Sequence, residues 1–292
     1  MLNWNIPKSV LSQLRIKGYA VVDGVLGPSN VEYLRNEMLN ALQTSPNLLS
    51  QNNTILINKN EKILVPKPNI GEFDFTNTLV KQQLKSMDQL GSNQQIMKIL
   101  NQGLGLDINK LQIKAQVNFG QGACFPIHLD TDYKQDNRKI TAIMYLNDTE
   151  GGELVLYPFP FDKVKIEPKA DRLVLFSSAF CLHRVLPTKT PRLCFTIWCA
   201  GKEPIKVPAL PELDDNITLS DLYHPTYRSL YAKSLYVDEW LNSIIQSHKD
   251  TPSRKVLIDN LLADVEIIEK KIVPVFKKYQ SEPINNLELQ WF

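Results

Sequence analysis

Apolar residues recur at two different spacings along this chain, and the change from one to the other divides it into three parts. In the first part helix and strand signals alternate. Lys17-Gly-Tyr-Ala-Val-Val-Asp predicts a short buried strand, closed by a turn at Gly27-Pro28-Ser29. Val31, Leu34, Met38 and Leu42 stand at helical spacing and predict a helix from about Asn30 to Leu42, with Ser29 as its N-cap. A second helix is predicted from about Thr78 to Leu100, interrupted or bent near Gly91-Ser92. Between them the segment 45–76 is rich in Asn and Lys with short apolar runs. It reads as an irregular hairpin or loop.

From Leu111 to Trp198 short runs rich in β-branched and aromatic residues alternate with turn signals. The expected strands are Leu111–Phe119, Cys124–Asp130, Lys139–Leu146, Glu153–Tyr157, Val164–Glu167, Arg172–Phe176, His183–Leu186 and Arg192–Cys199. Turns fall at Asp148–Gly152, Pro158–Pro160, Pro168–Asp171 and Pro187–Pro191. Eight short strands bounded this way suit a double-stranded β-helix, the jelly-roll topology. After Pro204 the texture changes again. Pro208 and Pro211 mark a linker, 221–246 can hold two short helices, and Ser253–Tyr279 reads as one long amphipathic helix that packs on the barrel or on a partner. Its stripe is Val256, Leu257, Leu261, Ile267, Ile268 and Ile272. The expected class is α+β: a β-helix core (111–201) with flanking N-terminal helices (1–110), together a domain of residues 1–205, and a helical C-terminal extension (206–292).

Composition changes this picture little. The chain has 292 residues, 43% hydrophobic and 22% charged, enough for one large domain or a domain with an appendage. A net charge of +2, with the positive residues scattered, provides no electrostatic footprint for nucleic acid, so no such partner is expected. No run approaches the ~18 apolar residues that span a bilayer, so no membrane association is expected. The start, Met1-Leu-Asn-Trp-Asn-Ile-Pro-Lys, lacks the basic residues and apolar run of a secretory signal. Cys124, Cys181, Cys194 and Cys199 form no Cys-x-x-Cys pair, which suits reduced thiols in a cytoplasmic or nuclear protein.

The candidate chemistry begins at His128-Leu129-Asp130. On a strand, His128 and Asp130 point to one face because side chains alternate with period two. One imidazole and one carboxylate are two thirds of the facial triad that holds Fe(II) with three positions open. The second imidazole must come from elsewhere, and His183 is the candidate, because His224 and His248 fall in the helical tail. Arg192 follows His183 by nine residues, at the start of the apolar strand Arg192-Leu-Cys-Phe-Thr-Ile-Trp. A guanidinium aimed into an apolar barrel carries a charge that is expensive to bury. A dicarboxylate ligand neutralises it well, since the planar fork pairs bidentately with a carboxylate. Cys194, Thr196 and Trp198 share its face.

The runs Arg138-Lys-Ile-Thr-Ala-Ile-Met-Tyr-Leu-Asn147, Gly151-Gly-Glu-Leu, Ile166-Glu-Pro-Lys-Ala-Asp-Arg-Leu-Val-Leu-Phe176, His183-Arg-Val and Arg192 to Trp198 resemble the prolyl 4-hydroxylase-like 2-oxoglutarate/Fe(II) oxygenases. Within that branch the similarity is to the cytoplasmic hypoxia-sensing type and its plant and protist relatives. It covers about Leu111 to Gly201, more loosely Lys17 to Leu26, and leaves out the tail.

The resemblance implies that His128, Asp130 and His183 ligate iron and that Arg192 and Tyr145 bind the distal carboxylate of 2-oxoglutarate. It also implies that Thr196 and Ile143 line that pocket. Cofactors would be Fe(II), 2-oxoglutarate as co-substrate, and ascorbate. The activity would be hydroxylation of a proline in a protein substrate, with release of succinate and CO2. The segment 45–76 stands where relatives carry a substrate-covering segment. One departure is Phe119, which matches a pocket tyrosine of the hypoxia-sensing enzymes but has no hydroxyl. The sequence leaves open another side chain or a small molecule as acceptor, and a non-catalytic scaffold. Oligomeric state is not legible in it.

Overall fold

The computed structural model describes residues 3–58, 61–134, 136–279 and 289–292. It begins with α1 (Lys8–Lys17), β1 (Tyr19–Asp23) and α2 (Pro28–Thr44), followed by the hairpin β2 (Ser50–Asn58) and β3 (Glu61–Asp74). Helices α3 (Thr78–Gln83), α4 (Lys85–Gly91) and α5 (Gln94–Leu104) lead into β4 (Ile108–Asn118), β5 (Phe125–His128) and β6 (Arg138–Tyr145). Then come β7 (Leu154–Tyr157), β8 (Val164–Ile166), β9 (Arg172–Ser177), β10 (Leu182–Val185) and β11 (Arg192–Gly201). The tail holds α6 (Leu219–Leu222), α7 (Pro225–Leu235), α8 (Val237–Ser247), α9 (Pro252–Lys271) and α10 (Val273–Lys278).

Two antiparallel sheets form the jelly roll, with strand orders β1-β9-β6-β11-β4-β3-β2 and β5-β10-β7-β8. All eight strands expected between Leu111 and Cys199 form, with ends shifted by a few residues. Alternation along β11 explains the layering. Leu193, Phe195 and Ile197 join the core under the N-terminal helices, with Leu14, Leu34, Met38 and Leu100. Cys194 joins the core between the sheets, with Tyr145, Leu154, Leu156, Val174 and Phe176.

Three differences from the expected elements have physical causes. The segment 45–76 is a hairpin with a register shift between Gln51 and Asn53, and its strands are longer than expected, because β3 pairs with β4 from Ile70↔Asn118 to Asp74↔Lys114 and carries β2 with it. Its polar composition hid a strand pair that sheet pairing imposes. The connecting Lys59 and Asn60 lie outside the described residues. Helix α2 starts at Pro28, with Gly27 rather than Ser29 at the N-cap. Proline suits the first helical turn, where no N–H is needed, and Asp171 accepts from Leu26 N and Gly27 N instead. The stretch after Thr78 breaks at Leu84 as well as at Ser92, where Asn93 caps α5.

The tail forms three helices between Leu219 and Ser247, and the expected long helix divides at Ile272 into α9 and α10. Residues 280–288 of the expected extension lie outside the described residues. Helix α8 is bonded directly to the smaller sheet. Ile127 N of β5 donates to Ser243 Oγ at 2.9 Å, Tyr157 Oη of β7 to Glu239 Oε2 at 2.9 Å, and Arg184 Nη2 of β10 to Gln246 Oε1 at 2.9 Å. Beyond it, Trp291 is buried against the N-terminal layer, its Nε1 donating to Ile16 O at 3.2 Å. Gly18, at φ 75° in the C-cap of α1, has no space for a Cβ, which would lie 2.3 Å from the Trp291 ring. Among the described residues no helix is long and apolar enough to cross a membrane.

Candidate metal centre and co-substrate pocket

His128 closes β5 directly opposite His183 on β10, and their ring centroids are 4.2 Å apart. Asp130 lies two residues beyond the end of β5. The chain is turned back there by Asp130 N donating to Ser178 O at 3.1 Å. Asp130 Oδ1 consequently sits 3.7 Å from Nε2 of both histidines. One ligand atom from each of the three residues lies within 4.8 Å of the others, a spacing that a single ion about 2 Å from each could bridge. The other carboxylate oxygen accepts from Thr141 Oγ1, which is 2.8 Å from Ser178 Oγ.

The imidazoles are oriented by main-chain carbonyls. His128 Nδ1 donates to Pro126 O at 2.8 Å and His183 Nδ1 to Cys181 O at 3.2 Å. Each Nε2 therefore faces the cluster with its lone pair. Burial, then the neighbouring His183, pushes His128 down to about 3, so it is neutral at pH 7. Burial opposes ionisation of Asp130, yet His183, His128 and the bond from Thr141 hold its carboxyl below the usual range. Neutral imidazoles and an ionised carboxylate are the forms that bind a metal.

Strand register places the other expected residues on one inner face. Along β6 and β11, Tyr145 faces Cys194, Ile143 faces Thr196 and Thr141 faces Trp198. Along β4 and β11, Asn118 faces Arg192, Gln116 faces Cys194 and Lys114 faces Thr196. This ladder runs from Arg192 at one end to Thr141, beside Asp130, at the other. Arg192 is 1% exposed, and its Cζ lies 5.0 Å from the centroid of the Tyr145 ring. Among the described residues, Arg192 Nε and Nη1, Tyr145 Oη and both side-chain polar atoms of Asn118 have no hydrogen-bond partner.

Phe119 is 41% exposed at the end of β4 and does not enter the pocket. Its predecessor Asn118, fully buried beside Arg192, takes that place. Sequence reading missed Asn118 although strand parity with Gln116 and Lys114 marks it. It also missed Thr141 and Ser178, whose roles depend on the return of the chain at Asp130.

A cleft of about 690 Å³ opens in front of His128 and Asp130, between the β2–β3 hairpin and helices α8 and α9. Lys67 is buried in it, its Nζ donating to Asn52 Oδ1 at 2.8 Å and standing 5.2 Å over the Phe125 ring. Burial lowers this amine to about 7. Glu72 accepts from Lys114 Nζ and Asn52 Nδ2, both at 2.6 Å.

Residues 113–200 match the family model of the 2OG-Fe(II) oxygenase superfamily, a span that contains every residue of the cluster and of the ladder. The barrel is that of a 2-oxoglutarate/Fe(II) oxygenase. The enzyme is prolyl 4-hydroxylase-like in structure. A prolyl 4-hydroxylase from Phytophthora capsici is similar over 94% of this chain and 90% of its own, with 27% identity and a TM-score of 0.73. At that coverage the likeness takes in most of the helical tail. A prolyl-4-hydroxylase from Pseudomonas putida is similar over 66% of this chain and 98% of its own, with 25% identity and a TM-score of 0.51. A Trichoplax adhaerens prolyl hydroxylase, solved with a hypoxia inducible factor oxygen degradation domain peptide fragment, shares the fold. There the figures are 24% identity, TM-score 0.56, 66% of this chain and 88% of that one. No curated protein sequence matches the chain. The superfamily implies Fe(II) and 2-oxoglutarate as cofactor and co-substrate.

Proposed function

We propose that the enzyme hydroxylates a proline of a polypeptide, with Fe(II) held by His128, Asp130 and His183 and dioxygen as the oxidant, one oxygen atom going to the prolyl carbon and the other into succinate as 2-oxoglutarate loses CO2. The observation that carries this reading is Arg192, a buried guanidinium with unpaired donors on the face that leads to the His-Asp-His cluster. An uncompensated buried charge is strongly unfavourable. A ligand carboxylate would relieve it by fork pairing. Tyr145 and Asn118, also without partners, would hydrogen-bond the same end of the co-substrate, and Thr196 and Ile143 would line its stem. The donor set of two imidazoles and one carboxylate suits Fe(II) with positions left for a chelating co-substrate.

When bound, iron with 2-oxoglutarate would activate dioxygen, the oxidant that converts C–H to C–OH. The protein's part is ligation, orientation and dryness. Pro126 O and Cys181 O hold the two Nδ1 protons, so that both Nε2 atoms stay turned toward the metal position. Thr141 occupies one Asp130 oxygen and leaves the other for the metal. The barrel core keeps water from Arg192. Ascorbate, as the reductant that maintains Fe(II), belongs to the same reading. So does a cytoplasmic or nuclear location, which the four separate buried thiols support. The division into an oxygenase domain (1–205) and a helical extension (206–292) is part of it too. A prolyl acceptor is favoured by the likeness to the Phytophthora and Pseudomonas prolyl 4-hydroxylases.

The test is succinate release by purified protein with Fe(II), 2-oxoglutarate and ascorbate, with His183→Ala as the inactive control. Mass spectrometry of treated cell extract should then find one added oxygen on proline in one or few polypeptides. Oxidation of another residue type, or only of a small molecule, would reject the prolyl acceptor.

A further inference from the structure

Two of the three cluster residues are held by one short turn. Between β9 and β10 the chain passes through Ser178, Ala179, Phe180 and Cys181, all buried. Ser178 O accepts from Asp130 N at 3.1 Å. Ser178 Oγ lies 2.8 Å from the Thr141 hydroxyl that bonds the Asp130 carboxylate. Three residues on, Cys181 O fixes the imidazole of His183. The turn therefore sets both the position of Asp130 and the orientation of His183. Ladder pairing stops at Ser177 and resumes at Leu182, so the shape of the turn depends on other contacts.

Ser177 gathers those contacts. Phe180 N donates to Ser177 Oγ at 3.3 Å and Cys181 N to Ser177 O at 3.2 Å, which closes the turn. Outside it, Ser177 N donates to Gly18 O at 2.9 Å and Ser177 Oγ to Trp291 O at 2.5 Å. Ser177 has no exposed surface, so water cannot stand in for Trp291 O without a local opening. Trp291 is clamped in its turn. Its ring lies against Gly18, and the guanidinium of Arg228 on α7 stands 4.3 Å from the ring centroid and bonds Gln290 O. Arg228 Nε and Nη1 have no hydrogen-bond partner among the described residues. The ring and Gln290 O are thus what compensates this buried charge. Ala179 and Phe180 pack with Trp291 and Ile205 in one apolar cluster.

We propose, resting on the reading of His128, Asp130 and His183 as a metal site, that Ser177 and Trp291 are positioning residues for the metal. Trp291 O holds the Ser177 hydroxyl where it accepts from Phe180 N. The turn closed in this way presents Ser178 to Asp130 and Cys181 O to His183. The segment 289–292 is then a strap that fixes two ligands at once from outside the barrel. Ser177 and Trp291 act only through the turn, and releasing the strap lowers metal affinity before it unfolds the barrel.

The experiment titrates the full chain with Co(II), whose visible absorption reports both occupancy and ligand geometry, at a temperature where circular dichroism finds every variant folded. Ser177→Ala removes one oxygen and leaves the Trp291 packing in place. It should weaken Co(II) binding about tenfold, the lower end of what losing a ligand's own partner costs, and should alter the absorption band. Trp291→Ala should lose affinity likewise, whereas Trp291→Phe, which keeps a ring and the main-chain carbonyl, should bind as the wild type does. The double variant Ser177→Ala/Trp291→Ala should be no weaker than Trp291→Ala alone, because both act on one bond. Phe276→Ala opens a cavity in the separate cluster of α7, α9 and α10. It should lower the melting temperature and leave Co(II) affinity and the band unchanged. Wild-type affinity in Ser177→Ala, or a loss in Phe276→Ala as large as in Ser177→Ala, would overturn the proposal. A wild type that binds no Co(II) would reject the metal reading itself. One that binds it no better than Ser177→Ala does would reject only the strap.

Discussion

Thr141 donates to the Asp130 oxygen that faces away from the histidines, and Ser178 Oγ lies 2.8 Å from the same hydroxyl. Partners of this kind hold a ligand in place, and losing one lowers metal affinity roughly 10- to 100-fold. Thr141→Val should show that loss in a Co(II) or Mn(II) titration; unchanged affinity would remove Thr141 from the role. Arg192 makes the opposite case, a residue whose unpaired charge burdens the empty barrel and which the proposed co-substrate would relieve. In Arg192→Met the apo protein should melt at a higher temperature, because an unpaired buried charge is gone. The stabilisation that 2-oxoglutarate confers on the wild type should vanish. A variant that melts lower and still responds to 2-oxoglutarate would contradict the assignment. Asn118→Leu should weaken 2-oxoglutarate binding about tenfold with little change in melting, since its unpaired amide stabilises nothing in the apo state.

At the scale of elements, the junction of β2 with α8 carries a pH dependence. His248 is buried, and burial, then the nearby charge of Lys67 with a smaller effect from Arg254, lowers its pKa to about 4. In the unfolded chain it protonates near 6.5. The unfolded state therefore takes up the proton first as pH falls. The stability associated with the neutral imidazole is complete above about 6.5 and is lost as pH drops toward 4. Urea unfolding of the metal-free protein at pH 7, 6 and 5 should give a shallower decline for His248→Gln than for wild type. His128 titrates in the same direction in both proteins, so the difference isolates His248; equal declines would refute the account.

The elements also show how legible the fold was in the sequence. Each strand from β4 to β11 was expected, because two-faced burial leaves runs of β-branched and aromatic residues between turns. The β2–β3 hairpin was not expected as regular structure. Its residues are polar, and pairing with β4 decides their conformation.

Over the whole molecule, the tail behaves as part of the site. Helix α8 satisfies Ile127 N, Tyr157 Oη and Arg184 Nη2 on strands β5, β7 and β10, two of which carry the metal-cluster histidines. Each buried group stranded by its loss costs about 1–3 kcal/mol. Total stability is on the order of 5–15 kcal/mol. The loss also uncovers Ile127, Val155 and Leu182. A chain ending at residue 205 should fail to unfold cooperatively in thermal circular dichroism and should not bind Co(II). Cooperative melting with retained metal binding would show the tail to be dispensable.

The sequence by itself determined the jelly roll, the His-x-Asp pair and second histidine that meet in one cluster, and Arg192 on an inward face. Those features depend on residue type and on period-two alternation, which are local. Tertiary structure decided the rest. It turned Asp130 back to the histidines from beyond the end of its strand, and it put Asn118 rather than Phe119 beside Arg192. It also brought Thr54 of the hairpin to His248, far away along the chain, at the border of the cleft. Sheet register and helix docking set those meetings, and neither leaves a periodic trace in the chain.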